Sequence, residues 1–177
     1  MGMSKTEAQH RVKILDTLRQ IPHGVPAGWT KNTLAVGGLS YIGFSETVPG
    51  KLICISGQAQ SLIDCETGAV QFCDILYDED ALFAFCAPLG DEPIRLAGTG
   101  GGGLRLWSSQ GESLTAVFPD YPKSQLVYAP GFRSPFLSPG ECNVIWDDYE
   151  PLAFGFSPCS RYMAAACPSD LTIWKRG

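Results

Sequence analysis

The chain has 177 residues, 45% of them apolar and 18% charged, with a formal net charge of −5. That is the balance of one folded domain, or of a domain with a small extension, and not of a disordered segment. It carries no Lys/Arg run or basic stripe, and phosphate binding needs clustered cations, so nucleic acid is excluded as an expected partner.

The start, MGMSKTEAQHRVK, is polar and lacks an apolar leader core, and no run of 18 apolar residues occurs. The expectation is therefore a cytoplasmic protein without a membrane span. Seven cysteines, at 54, 65, 73, 86, 142, 159 and 167, stand beside only two histidines, and no C-x-x-C is present. They read as reduced, small residues buried in strands, with no disulfide, no metal site and no cofactor.

Residues 4–21 read as a helix. Ser4 followed by Glu7 matches a capping box. Ala8, Val12, Leu15 and Leu18, flanked by Ile14 and Ile21, recur every three to four residues. Pro22, His23 and Gly24 stop it. Its expected role is to cover a sheet edge or face, the alternative being a partner-binding element. Residues 24–31 (GVPAGWTK) form a turn-rich linker in which Trp29 plugs the join between helix and sheet. The division expected is a helix and linker over 1–31 and an antiparallel β domain over 32–177, compact as a whole.

Twenty Gly and 13 Pro punctuate the remainder, as many short strands require. A strand over 33–36 ends at Gly37. Then a pattern repeats. Strands are expected over 41–44, 52–56, 61–65 and 69–73, and again over 82–86, 94–97, 104–107 and 114–118. A less regular stretch offers 126–128, 136–137 and 143–146, and the last offers 152–156, 162–166 and 171–174. Cys65 and Trp107 are 42 residues apart, and Trp107 and Trp146 are 39 apart. A period near 40 with four strands per repeat is the spacing of propeller blades.

The stretch GFSPCSRYMAAACPSDLTIWKR resembles a WD-repeat blade. Phe156-Ser157-Pro158 closes a first strand, a small-residue strand follows, then a Ser-Asp turn and Ile173-Trp174. LICISGQAQSLIDCETGAV and GLRLWSSQGE are similar to the same pattern. Two features differ: no Gly-His pair precedes a repeat, so the buried His-Asp network of that family has no counterpart, and Asp64 precedes Cys65 where the family has an acid after an aromatic. The last repeat lacks a fourth strand, which residues 33–36 can supply by joining the two ends of the chain. The resemblance implies a fold that is mainly β, with antiparallel blade-like hairpins and one N-terminal helix. The hairpins form either an open curved sheet or sandwich, preferred for so short a chain, or a small, incomplete propeller.

Few stretches carry chemistry. The glycine run 98–103 lacks the Lys-Ser/Thr and helix of a phosphate loop and is followed by alternating Leu-Arg-Leu-Trp, so it reads as a hairpin connection. His10 and His23 lie in no catalytic motif. Two acidic groups fall in expected loops: Asp78, Glu79 and Asp80, and Asp147, Asp148 and Glu150. They read either as solvated turn charge or as an acidic contact surface for a basic protein. Tyr121, Tyr128, Phe132, Phe136, Trp146 and Tyr149 gather in the Pro-rich segment 118–150, where with Arg133 they would suit a binding hot spot or form the core of an irregular blade.

The functional expectation is a non-enzymatic protein-interaction module with an acidic loop surface, a specific form being an immunity-type inhibitor that caps a toxin. The alternatives are a carboxylate-dependent hydrolase or carbohydrate-active enzyme, and a structural homodimer subunit. The partner-contact residues are expected to be Asp78, Glu79, Asp80, Arg133, Trp146, Asp147, Asp148, Tyr149 and Glu150.

Overall fold

A computed structural model describes residues 4–177. The chain is mainly β, with one helix near the N-terminus and several antiparallel sheets; among the described residues none closes into a barrel. No helix among them is long and apolar enough to cross a membrane. In chain order the elements are α1 (Lys5–Leu18), β1 (Trp29–Ala35), β2 (Leu39–Phe44), β3 (Lys51–Ser56), β4 (Gln60–Asp64), β5 (Val70–Phe72), β6 (Ile75–Asp78) and β7 (Phe83–Cys86). There follow β8 (Ile94–Arg95), β9 (Ala97–Gly98), β10 (Ser113–Val117), β11 (Lys123–Ala129), β12 (Asn143–Tyr149), β13 (Ala153–Phe156), β14 (Tyr162–Ala166) and β15 (Asp170–Arg176). They fall into two compact units, one of Met1–Ala27 and Gly111–Glu150, the other of Gly28–Gln110 and Pro151–Gly177.

In the first unit α1 begins on the expected capping box. The Ser4 Oγ accepts from the Glu7 N–H at 3.2 Å, and the Glu7 Oε2 accepts from the Ser4 N–H at 2.6 Å, so two orphan donors are satisfied reciprocally. Only the C-terminal end of the apolar stripe is packed. Ile14, Leu18 and Ile21, on one face, meet Val117, Val127, Ala129 and Val144 of the sheet β10-β11-β12, whereas Val12 is 56% exposed. In β12 the neighbours Val144 and Ile145 are both buried, against the alternation of a strand. The register explains it: Leu126 faces Trp146 and Val127 faces Val144, so Ile145 is an extra, bulged residue. The outer edge of β12 is covered by residues 22–24, since the Val144 N–H donates to the Pro22 carbonyl and the Gly24 N–H to the Val144 carbonyl. The helix stop is thus also an edge cover.

In the second unit three sheets follow one another: β1-β15-β14-β13, then β5-β4-β3-β2-β9, then β6-β7-β8. The strands β2, β3 and β4 of the middle sheet are buried on both faces, while its edge strand β5 is exposed. Leu52, Cys54, Ile42 and Ile63 pack with Ala164, Ala166, Leu171 and Ile173 of the first sheet. Ile53, Ile55 and Leu62 pack with Ile75, Ala84, Cys86 and Ile94 of the third. This is why β3 reads Leu-Ile-Cys-Ile without polar alternation. Each such aliphatic side chain contributes about 1.5–3 kcal/mol by its burial.

The strand expected at 33–36 starts earlier. β1 pairs with β15 along its whole length, from Trp29 opposite Arg176 to Ala35 opposite Asp170, so the ends of the chain complete a four-stranded sheet. Trp29 is accordingly not a plug in a linker but the first residue of this strand, buried, with the Arg176 guanidinium 4.3 Å from its ring centroid. Three other expectations are corrected. Residues 104–107 form no strand; isolated bridges stand at Arg105, to Phe156, and at Trp107. Residues 136–137 form a turn, between prolines that donate no N–H. The segment 94–97 divides, with β8 joining β7 and β9 joining β2. Gly43 permits that crossing, because a Cβ there would lie 2.5 Å from the Arg95 carbonyl oxygen. β6 was not anticipated from the sequence.

Carboxylates fasten the turns. Glu66 accepts from the Tyr162 hydroxyl at 2.7 Å and from the Lys175 Nζ at 3.1 Å, joining the first and second sheets. The hydrogen bond from Tyr162, then that from Lys175, lowers the Glu66 pKa. Burial, reinforced by Glu66, pushes the Tyr162 phenol up to about 12. Glu92 accepts from the Ser45 and Thr47 hydroxyls and from the Glu46 and Thr47 N–H groups. Burial raises its pKa, but these four bonds outweigh it and the net shift is downward.

Candidate protein-contact face

The third sheet of the second unit has one buried face and one bare face. The β6–β7 register sets Leu76 opposite Phe85 and Asp78 opposite Phe83, and the β7–β8 register sets Phe83 opposite Arg95. Successive side chains alternate across a strand, so Ile75, Ala84, Cys86 and Ile94 point into the core while Leu76, Phe83 and Phe85 point away. Leu76 is 75% exposed, Phe85 43% and Phe83 36%. With Tyr77, Ala81 and Pro93 they line an open groove of about 520 Å³. The Arg95 guanidinium lies 5.9 Å from the Phe83 ring centroid, which covers part of that ring and leaves Leu76 and Phe85 bare.

The turn that closes this hairpin carries the first acidic group. The Asp78 Oδ1 accepts from the Asp80 and Ala81 N–H groups at 2.9 and 2.8 Å, an Asx turn that fixes the loop. Leu82 adopts φ +56°, a left-handed conformation that costs about 1–2 kcal/mol. Its side chain packs on the core behind the sheet, which offsets that cost. One Asp78 oxygen is therefore committed to the fold, whereas Glu79 and Asp80 project into solvent at the end of the apolar face. The arrangement is an apolar surface with an acidic margin.

The other expected contact residues belong to the first unit. Asp147 accepts from the Gln125 Nε2 at 3.2 Å and lies 3.6 Å from the His23 Nδ1. The Asp148 Oδ1 accepts from the Tyr149 N–H. The Trp146 Nε1 donates to the Tyr149 carbonyl, which curls the end of β12 and leaves the Tyr149 ring and Glu150 exposed. Arg133 is paired with Glu141 at 2.8 Å, so its charge is largely matched. Of the expected exposed aromatics, Tyr128 is buried and donates to Glu112 at 2.6 Å, while Tyr121 and Phe132 are bare.

The glycine run is part of the fold. The Gly98 N–H donates to the Gly101 carbonyl and the Gly101 N–H to the Gly98 carbonyl, at 2.9 and 3.0 Å, while the Thr99 N–H donates to Ser40. These amides are used internally and do not cradle an anion. Beside the run, Phe44, Arg95, Arg105 and Phe156 line a hollow of about 380 Å³, in which the Arg105 Nη2 donates to both Glu46 carboxylate oxygens. No group of three or more His, Cys, Asp or Glu among the described residues is placed to hold a metal ion.

The sequence reading missed Leu76, Phe83 and Phe85. The signal was present in Ile-Leu-Tyr-Asp and Phe-Ala-Phe-Cys, where period-two apolar residues occupy both faces; a second covering layer would have explained them equally well. No protein-family model matches the sequence, and no curated protein or solved structure matches it, so the functional reading rests on this geometry.

Proposed function

We propose that the chain is a non-enzymatic protein-interaction module, a short WD-repeat-like scaffold whose β6–β7–β8 face docks a basic segment of a partner protein. The observation that carries this reading is the exposure of Leu76 and Phe85 beside Glu79 and Asp80. Three large apolar side chains on one sheet face exceed the scattered apolar exposure normal for a surface. Buried aromatic and aliphatic anchors supply most of the affinity of an interface. A rim of one charge sign selects a partner of the opposite sign and speeds encounter. The occupant that satisfies both is a segment with apolar side chains flanked by Lys or Arg. The net charge of −5 favours the same partner at longer range. An immunity-type inhibitor capping a basic toxin is the specific form proposed.

The test compares three immobilised proteins under identical conditions: wild type, Leu76→Glu with Phe85→Asp, and Glu79→Lys with Asp80→Lys. The reading expects one basic protein to be retained by the wild type and lost from both variants, with binding of the purified pair weakening as salt rises. Identical retention by all three would overturn it. A dimer in light scattering that the first variant dissociates would assign the face to a second copy instead.

A further inference from the structure

We propose that Cys73 and Cys86 are a dithiol pair that closes to a disulfide when the folded protein meets a small disulfide oxidant such as oxidised glutathione. The inference is independent of the partner reading and goes beyond the expectation that all seven cysteines are small reduced residues buried in strands.

The two Sγ atoms lie 3.6 Å apart. Hydrogen bonds to Gln60 hold them there. The Cys73 N–H donates to the Gln60 carbonyl at 3.2 Å. The Gln60 Oε1 accepts from the Ile75 N–H at 2.5 Å, and Ile75 is the ladder partner of Cys86. One residue, Gln60 at the start of β4, thus fixes both the segment that carries Cys73 and the strand that pairs with Cys86. A disulfide has an S–S length of about 2.05 Å, so the sulfurs have about 1.5 Å to close.

The partners differ in access, and that sets the order of events. Cys73 is partly exposed and lines an open depression with Phe72 and Asp74. Cys86 is fully buried. Burial, and the neighbouring Cys73 thiol, push its pKa up to about 12. Cys73 therefore reacts first. Its thiol gives its proton to solvent, and the thiolate attacks one sulfur of oxidised glutathione. A Cys73–glutathione bond forms, the glutathione S–S bond breaks, and one glutathione leaves as a thiolate that takes up a proton. Cys86 then loses its proton and attacks the Cys73 sulfur. The protein disulfide forms and the second glutathione leaves. Two protein thiols are oxidised and one glutathione disulfide is reduced to two thiols. The closed bond would tie the connection between β5 and β6 to the end of β7.

The test is peptide mapping of the native protein after incubation with oxidised glutathione, alkylation and cleavage at Asp78, Glu79 and Asp80, which lie between the two cysteines. The expected product is a Cys73–Cys86 linked pair, formed faster at pH 9 than at pH 7 because each attack requires a thiolate. Its formation should raise the melting temperature by several degrees, and Cys86→Ala should accumulate the glutathione adduct on Cys73 instead. The same reaction in 8 M urea should lose the preference for this pair. If Cys86→Ala does not fold, the wild-type map decides alone. An unresolved adduct on Cys73, no reaction at either residue, or links scattered over the other cysteines without preference would overturn the proposal.

Discussion

Gly102→Ala separates the two readings of the glycine run most sharply. Gly102 sits at φ +76°, and a Cβ there would lie 2.0 Å from the Leu96 carbonyl oxygen, 3.1 Å from its carbon and 3.2 Å from the Ala97 Cα. Two costs add. The left-handed conformation costs an L-residue about 1–2 kcal/mol. The clash is with backbone and cannot be relieved by turning a side chain. Leu96 and Ala97 are both buried, and Ala97 pairs with Ile42, so the shift propagates into the middle sheet at about 1–3 kcal/mol, as overpacking does. The expected loss is about 2–5 kcal/mol, or roughly 4–20 °C in melting temperature at 2–4 °C per kcal/mol for a chain of this size. Gly103 provides the control, since an added Cβ meets nothing within 4 Å and no left-handed φ is required. Gly103→Ala should stay within about 0.5 kcal/mol of wild type. Urea unfolding followed by tryptophan fluorescence measures both. A Gly102→Ala protein as stable as wild type, or a Gly103→Ala protein equally damaged, would refute the assignment of this run to a backbone-on-backbone turn.

Other variants report on other joints. Trp29→Ala removes the buried anchor of β1 and should cost about 3–5 kcal/mol by the same assay; a change under about 1 kcal/mol would deny that the ends of the chain are joined there. Ala164→Leu places three extra carbons at a fully buried position where the first sheet packs on the second and should cost about 1–3 kcal/mol, seen as a lower urea midpoint. Alkaline pH should destabilise the fold. Burial pushes Cys54 up to about 11 and Cys65 to about 12 from 9.0. Both folded-state values exceed the unfolded one, so their contribution is complete below pH 9 and is lost as pH rises through 11 and 12. Each thiol accounts for on the order of 2–4 kcal/mol, and Cys65→Ala should flatten the fall in melting temperature above pH 9. A flat profile up to pH 11 in the wild type would contradict the burial of these thiols.

Much of the architecture was legible because its signals are local. The Ser4–Glu7 box fixed the start of α1, and Gly and Pro divided the strands. The missing fourth strand of the last repeat pointed to β1, whose pairing with β15 the structure extends to Trp29. The failures occurred where distant contacts override local pattern. Leu104 to Trp107 alternates like a strand but makes only isolated bridges, at Arg105 and Trp107, because the preceding glycines fold back on β9. Residues 94–97 read as one strand, yet Gly43 allows the chain to pass between sheets. The site was half legible. The acidic turn at Asp78, Glu79 and Asp80 was evident from charge alone. The apolar face beside it was hidden, since Phe83 and Phe85 look like core residues until the number of covering layers is known.

Binding of the purified basic partner to the wild type and to the Leu76→Glu, Phe85→Asp double variant, by calorimetry at two salt concentrations, tests the central claim most directly. Both substituted side chains are substantially exposed, so the variant should melt close to the wild type. The account predicts a one-to-one complex with the wild type that weakens at higher salt, and at least a hundredfold loss of affinity in the variant. Equal affinity for both proteins would contradict it.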